Sequence, residues 1–195
     1  MITLALAGKP NCGKSTFFKA ATMANAEIAN YPFTTINPNF GVAYVRTTCA
    51  CADLKVRCKH CVDGNRFVAV NLIDVAGLVP DAHKGKGLGN QFLDNLRQAD
   101  AILHIIDASG GTDSEGNPVG AGNHDPDVDV SFLLFEMTMW VHGILDKHWS
   151  RISRQSQGRG AAIQQGIAET FVGLGITVDD VRDLRDKVNF RPSEG

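Results

Sequence analysis

A surplus of either charge is missing from these 195 residues: 19 Lys and Arg stand against 21 Asp and Glu, a formal net charge of -2. Such a balance gives the chain no overall electrostatic pull toward RNA, and DNA is not an expected partner. The start Met1-Ile2-Thr3 lacks the basic segment of a secretion signal. The first apolar run breaks at Gly8 and Lys9, too short for a membrane span. A cytoplasmic setting without a membrane partner is the default that these absences leave. Cysteine is scarce outside one place, with four of the five residues lying between positions 49 and 61. What remains is ordinary: 44% hydrophobic and 21% charged residues, enough to bury one sizeable core.

Against that background one segment stands out. Gly8-Lys9-Pro10-Asn11-Cys12-Gly13-Lys14-Ser15 fits the phosphate-binding loop G-x-x-x-x-G-K-[ST] without a mismatch. The apolar run Ile2 to Ala7 before it has strand length, and Ser15-Thr16-Phe17-Phe18 after it opens a helix. Glycines at both ends let successive N-H groups turn into one concavity, to which the helix N-terminus adds partial positive charge. Residues Gly8, Pro10, Asn11, Cys12, Gly13, Lys14, Ser15 and Thr16 are therefore the expected nucleotide contacts. Lys14 is placed to reach the β and γ phosphates and the Ser15 hydroxyl to take a position on Mg²⁺.

Phe67 to Ile73 is a near-continuous apolar run, expected as a strand buried on both faces, and it ends in Asp74-Val75-Ala76-Gly77. An acidic residue at that end sits where open α/β sheets bind ligands. Asp74 is expected to hold Mg²⁺ through a water, with the Gly77 N-H approaching the γ-phosphate. Between the two motifs, Ala29 to Gly41 carries two prolines and several turn formers and reads as a loop. A threonine there, Thr34 or Thr35, can complete the Mg²⁺ shell while a γ-phosphate is present. The residue chemistry does not choose between them.

Taken together, the phosphate loop, Tyr31-Pro32-Phe33-Thr34-Thr35, Asp74-Val75-Ala76-Gly77-Leu78-Val79 and Gly85-Lys86-Gly87-Leu88-Gly89-Asn90-Gln91-Phe92-Leu93-Asp94 resemble the Obg-related GTPases, specifically the YchF-type branch. The resemblance runs through residue 150 or so in motif order. It implies Thr35 as the Mg²⁺ ligand and a place among ribosome-associated translation factors, with ribosome or rRNA as partner. It also implies both GTP and ATP users, since the family contains each.

Leu78 follows the D-x-x-G glycine where many GTPases carry a glutamine that orients the attacking water. A leucine cannot hydrogen-bond water, so the resemblance implies slow basal turnover, with water positioned by another group or by a partner. Asn11 matches an asparagine that related GTPases use to bind K⁺ beside the phosphates; a loop hydrogen bond is its other role. Lys14, Asn11 and Gly77 are on these grounds the expected catalytic set.

Cys49-Ala50-Cys51 and Cys58-Lys59-His60-Cys61 lie in an insertion spanning residues 47–64, between the strand Gly41 to Arg46 and the strand from Phe67. Four thiolates, with His60 in reserve, suffice for a closed tetrahedral zinc site; free thiols in a loop are the alternative. A reducing cytosol disfavours two disulfides. Cys12, at a helix N-terminus, is either an acidified, oxidisable thiol or a small filler of a tight loop.

The run Ala101 to Asp107 reads as a fourth strand, His104 within it as a core residue, and Ser109 to Asp129 as a long surface loop. Apolar spacing predicts a helix from Val130 to about Gln157, a second over Ala161 to Val172, and a third announced by Thr177 with Asp180 three residues on. Arg151, Arg154 and Arg159 read as a solvated helix face. The expected fold is α/β, a P-loop NTPase (G-domain) sheet of four strands with the phosphate-loop strand central, incomplete at its C-terminal side, with an inserted helical hairpin. Residues 1–129 form the nucleotide domain, 130–190 the helical insertion and 191–195 a tail. No Asn-Lys-x-Asp tetrad, which reads guanine, occurs anywhere. Three functions stay open: a Mg²⁺-dependent GTPase, an ATPase of the same fold, and a noncatalytic nucleotide-sensing module.

Overall fold

The computed structural model describes residues 1–22, 38–51, 53–56, 58–87, 94–156 and 159–188. Two compact units divide the chain, Met1–Glu136 and Met137–Gly195. The first holds a four-stranded sheet with strands β1 (Thr3–Ala7), β2 (Asn39–Thr48), β3 (Asn65–Asp74) and β4 (Ala101–His104). Their order is β2-β3-β1-β4. Strand β1 pairs in parallel with both β3 and β4, so the phosphate-loop strand is interior and its apolar residues are covered on two sides.

Helix α1 (Lys14–Thr22) follows the phosphate loop and buries Phe18 on Leu6, Ala43, Val70 and Leu72, the core beneath the site. Burial of a side chain such as Phe18 contributes roughly 1.5–3 kcal/mol. Gly41 is required by that packing, since a Cβ there would lie 2.7 Å from Thr22 Cγ2 and 2.9 Å from the Phe18 ring.

Strand β3 differs from the expectation of burial on both faces. Val70, Leu72 and Ile73 are buried, whereas Phe67 and Val68 are about half exposed. The reason is register: β1 flanks only Asn71 to Asp74, while the antiparallel partner β2 runs on from Asn39 opposite Asp74 to Thr48 opposite Asn65. The outer half of the β2–β3 hairpin thus leaves the sheet. Strand β4 ends at His104, three residues earlier than expected. Asp107 instead starts a turn, accepting from the Ser109 hydroxyl and N-H and from the Thr112 hydroxyl. Ser109 and Thr112 hold its carboxyl down at about 2.

Helix α2 (Pro126–Ser156) begins four residues before the expected Val130. Asp125 accepts from the Asp127 N-H and Pro126 occupies the first turn, where its missing N-H is no loss. By length and composition this helix is apolar enough to cross a membrane, with a window of mean hydropathy 1.4. Its carboxylates Asp129 and Glu136 are nevertheless both engaged within the first unit.

The second unit contains the rest of α2, α3 (Gly160–Thr170) and α4 (Val178–Val188). Ile152 on α2 lies against Gly166 on α3, where a Cβ would come within 2.9 Å of it. A capping box starts α4, with Thr177 and Asp180 each accepting the other's backbone N-H. His142, Leu145, Trp149, Ile163, Ile167 and Leu184 line an apolar groove of about 400 Å³ among these helices.

Candidate functional site

The phosphate loop leaves β1 at Gly8 and re-enters helix at Lys14, the Phe17 N-H donating to the Gly13 carbonyl at 2.9 Å. Gly8 and Gly13 both hold positive φ, as does Asn11. The Lys14 ammonium is buried and donates to the Lys9 carbonyl at 2.7 Å. Burial pushes its pKa down, opposed by the neighbouring Cys12 sulfur and the Asp74 carboxylate. A desolvated cation thus sits inside a loop whose backbone N-H groups suit phosphate oxygens.

The two motifs meet at one bond. Ser15 Oγ donates to Asp74 Oδ2 at 2.7 Å across 59 residues of sequence. Among the described residues the second oxygen, Asp74 Oδ1, is buried without a hydrogen-bond partner, although the Asn39 side chain lies close enough to favour the charged carboxylate. Burial raises the Asp74 carboxyl, and the Ser15 hydroxyl and Lys14 ammonium oppose that rise. A hydroxyl oxygen beside an under-satisfied carboxylate is a hard-oxygen donor set of the kind that suits Mg²⁺ with its retained waters.

Gly77 lies against the phosphate loop, and the neighbouring Leu78 N-H donates to the Gly8 carbonyl at 3.0 Å. A Cβ on Gly77 would fall 2.6 Å from the Pro10 nitrogen, so the close approach of the two loops demands glycine. Gly77→Ala is expected to force the loops apart and weaken Mg²⁺-nucleotide binding at least tenfold, on the order of 1.4 kcal/mol, in a fluorescence titration. Unchanged affinity would show the contact to be slack. Leu78 itself is 1% exposed, with its side chain in the core.

The other expected residues are distributed as follows. Pro10 is buried and Thr16 exposed on the first turn of α1. Asn11 is exposed, and its amide group donates to the Gly116 carbonyl at 2.9 Å, the loop hydrogen bond of its two possible roles. Burial raises the Cys12 thiol, which makes it the loop filler rather than an acidified nucleophile. Partial burial also lowers His104, which is half-buried on β4 rather than in the core. Thr35, with the segment 23–37, and residues 88–93 lie outside the described residues. The four cysteines of the hairpin gather at the opposite end of β2 and β3 from Asp74.

Sequence reasoning missed the supports of this loop. Lys9, fully buried, pairs with Asp129 at 2.8 Å and donates to the Thr112 carbonyl at 2.7 Å. Asp129 also engages the His124 ring at 2.8 Å. The segment Ser109 to Asp129, expected as a surface loop, is built on turn hydrogen bonds that begin at Asp107, presses Gly116 against Pro10, and is already helical from Pro126. On α2, Glu136 accepts from the N-H groups of Asp81 and His83 at 2.8 and 2.9 Å and meets the His83 ring at 2.7 Å. The one available signal was a carboxylate set among apolar positions, Glu136 between Phe135 and Met139.

Comparison with known proteins adds to this geometry. The profile of the 50S ribosome-binding GTPase family matches residues 3–129. The chain belongs to that family. Among relatives of this chain, an uncharacterised GTP-binding protein of Methanocaldococcus jannaschii is 50% identical over 93% of the chain and 47% of the relative. A ribosome-binding ATPase, YchF, of Bacillus subtilis is 38% identical over 78% of the chain and 40% of its own length. The crystal structure of a GTP-binding protein from Pyrococcus horikoshii superposes with a TM-score of 0.71 at 33% identity, covering 97% of this chain and 47% of that one. These likenesses agree with the YchF-type, Obg-like branch. This GTPase-family chain spans about half the length of the relatives it matches.

Proposed function

We propose that this chain carries the Mg²⁺-dependent nucleotide-binding and hydrolysing part of a cytoplasmic, ribosome-associated switch, with GTP as the preferred nucleotide. The observation that carries the reading is the Ser15 to Asp74 contact at 2.7 Å, with Asp74 Oδ1 buried and unpartnered among the described residues. In this reading Ser15, Thr35 and Asp74 would hold Mg²⁺, which would supply positive charge to the β and γ phosphates. Lys14 stabilises the transferring phosphoryl group, backbone N-H groups from Gly8 to Thr16 bind the phosphates, and the Gly77 N-H meets the γ-phosphate. Asn11, with its amide N-H engaged by Gly116, retains its oxygen as a ligand for K⁺.

The ATPase reading has its own support in the name of the Bacillus subtilis relative, a ribosome-binding ATPase. A noncatalytic sensor finds support in Leu78, whose buried side chain offers nothing to an attacking water. Titration with fluorescent GTP and ATP analogues in Mg²⁺, in parallel K⁺ and Na⁺ buffers, followed by phosphate-release assays, separates these. Tighter GTP binding with slow release of phosphate, faster in K⁺, is the expected result. Preferred ATP would move the chain to the second reading, and tight Mg²⁺-dependent binding without turnover to the third.

A further inference from the structure

The hairpin tip at residues 49–64 has little to hold it by ordinary means. Leu54, Val56 and Val62 are 57–70% exposed, so these three do not pack into an apolar core. Its described backbone bonds are few: the Cys49 N-H to the Gly64 carbonyl, Leu54 to Ala50, Val56 to Cys51, and the Val62–Asn65 pair. Yet the sulfurs of Cys49, Cys51, Cys58 and Cys61 all lie within 4.8 Å of one another. Two come from the arm leaving β2 and two from the arm returning to β3, in crossed order. Cys49 Sγ is 3.9 Å from Cys58 Sγ, and Cys51 Sγ is 3.5 Å from Cys61 Sγ.

We propose that these four cysteines form a structural zinc site that ties the two arms of the β2–β3 hairpin together. A tetrahedron with Zn–S bonds of about 2.3 Å has sulfur-to-sulfur edges of about 3.8 Å, between the two separations observed. A disulfide needs roughly 2.05 Å, and all five cysteines are free. Cys58 Sγ also accepts the His60 N-H at 3.3 Å, the outer hydrogen bond that steadies a thiolate ligand. His60, the reserve ligand on sequence grounds, is exposed and stands outside the cluster. Four sulfurs close the coordination sphere, leaving no open position for a substrate, so the ion's role is to order the tip.

The ten paired residues of β2 and β3 separate this site from Asp74 by about 30 Å at 3.3 Å per residue. Metal content and nucleotide binding are therefore independent readouts, and failure of one reading leaves the other standing. Protein purified without chelator is expected to contain one equivalent of zinc by elemental analysis, released when a mercurial blocks the thiols. Cobalt exchanged into the site should show the intense visible absorption of tetrahedral thiolate coordination. A Cys58→Ser, Cys61→Ser variant should lose the metal while its melting transition and Mg²⁺-nucleotide titration show the sheet intact. Protein that remains free of zinc after incubation with excess metal and desalting, or zinc retained by that double variant, or iron found in its place, overturns the proposal.

Discussion

Replacing Lys14 with Ala is expected to lower phosphate release at saturating Mg²⁺-nucleotide by about 10²–10³-fold, the usual effect of removing one preorganised charge from a phosphoryl-transfer site. The ammonium is 6% exposed and already stripped of water, so its field at a bound phosphate is little screened. The same substitution removes the bond to the Lys9 carbonyl. A thermal melt of the variant therefore belongs beside the kinetics: a transition close to wild type assigns the loss to the site. Turnover within threefold of wild type would mean that hydrolysis, if measured, belongs to another site or a contaminant.

A larger effect on stability is expected from Asp129→Ala. Lys9 and Asp129 are 0% and 3% exposed, and removing the acid leaves a buried ammonium that keeps its bond to the Thr112 carbonyl but loses its 2.8 Å ion-pair partner. Breaking a buried pair in this way typically costs about 3–5 kcal/mol, against a total stability of roughly 5–15 kcal/mol for a domain. Urea unfolding should show a lower midpoint at unchanged slope. Replacing both partners together, Lys9→Met with Asp129→Leu, should recover much of the loss, because no orphan charge remains. If Asp129→Ala unfolds at the wild-type midpoint, water reaches Lys9 and the pair is not buried in solution.

The parts of this fold that depend on neighbouring residues were legible in the sequence. Gly8 to Ser15 specifies its own turn and the helix after it, and Thr177 with Asp180 specifies its own cap. The four-strand sheet with β1 inside also follows from such local signals and their order. What escaped was set by partners distant in sequence. The exposure of Phe67 and Val68 depends on where β1 stops beside β3, and periodicity within β3 carries no trace of that. Lys9 reads as one variable position of a motif until Asp129, far along the chain, is known to sit on it. The segment 107–125 looked irregular because its order comes from side chains bonding to backbone rather than from a repeating ladder. The cysteine spacing announced four possible ligands, but only folding shows that crossed pairs from two arms converge and that His60 does not join them.

Asp129 and Glu136 are separated by seven residues, two turns of α2 and about 10.5 Å along its axis, so they occupy one side of the same rod. One carboxylate is bound to the phosphate loop through Lys9, the other to the backbone just beyond the D-x-x-G motif at Asp81 and His83. Helix α2 thus fixes the spacing of the two loops: both can shift with the helix, but a change in their separation works against its span of about 10.5 Å. Such a differential displacement has to emerge as tilt or bending of the rod, or as the breaking of one carboxylate's bonds.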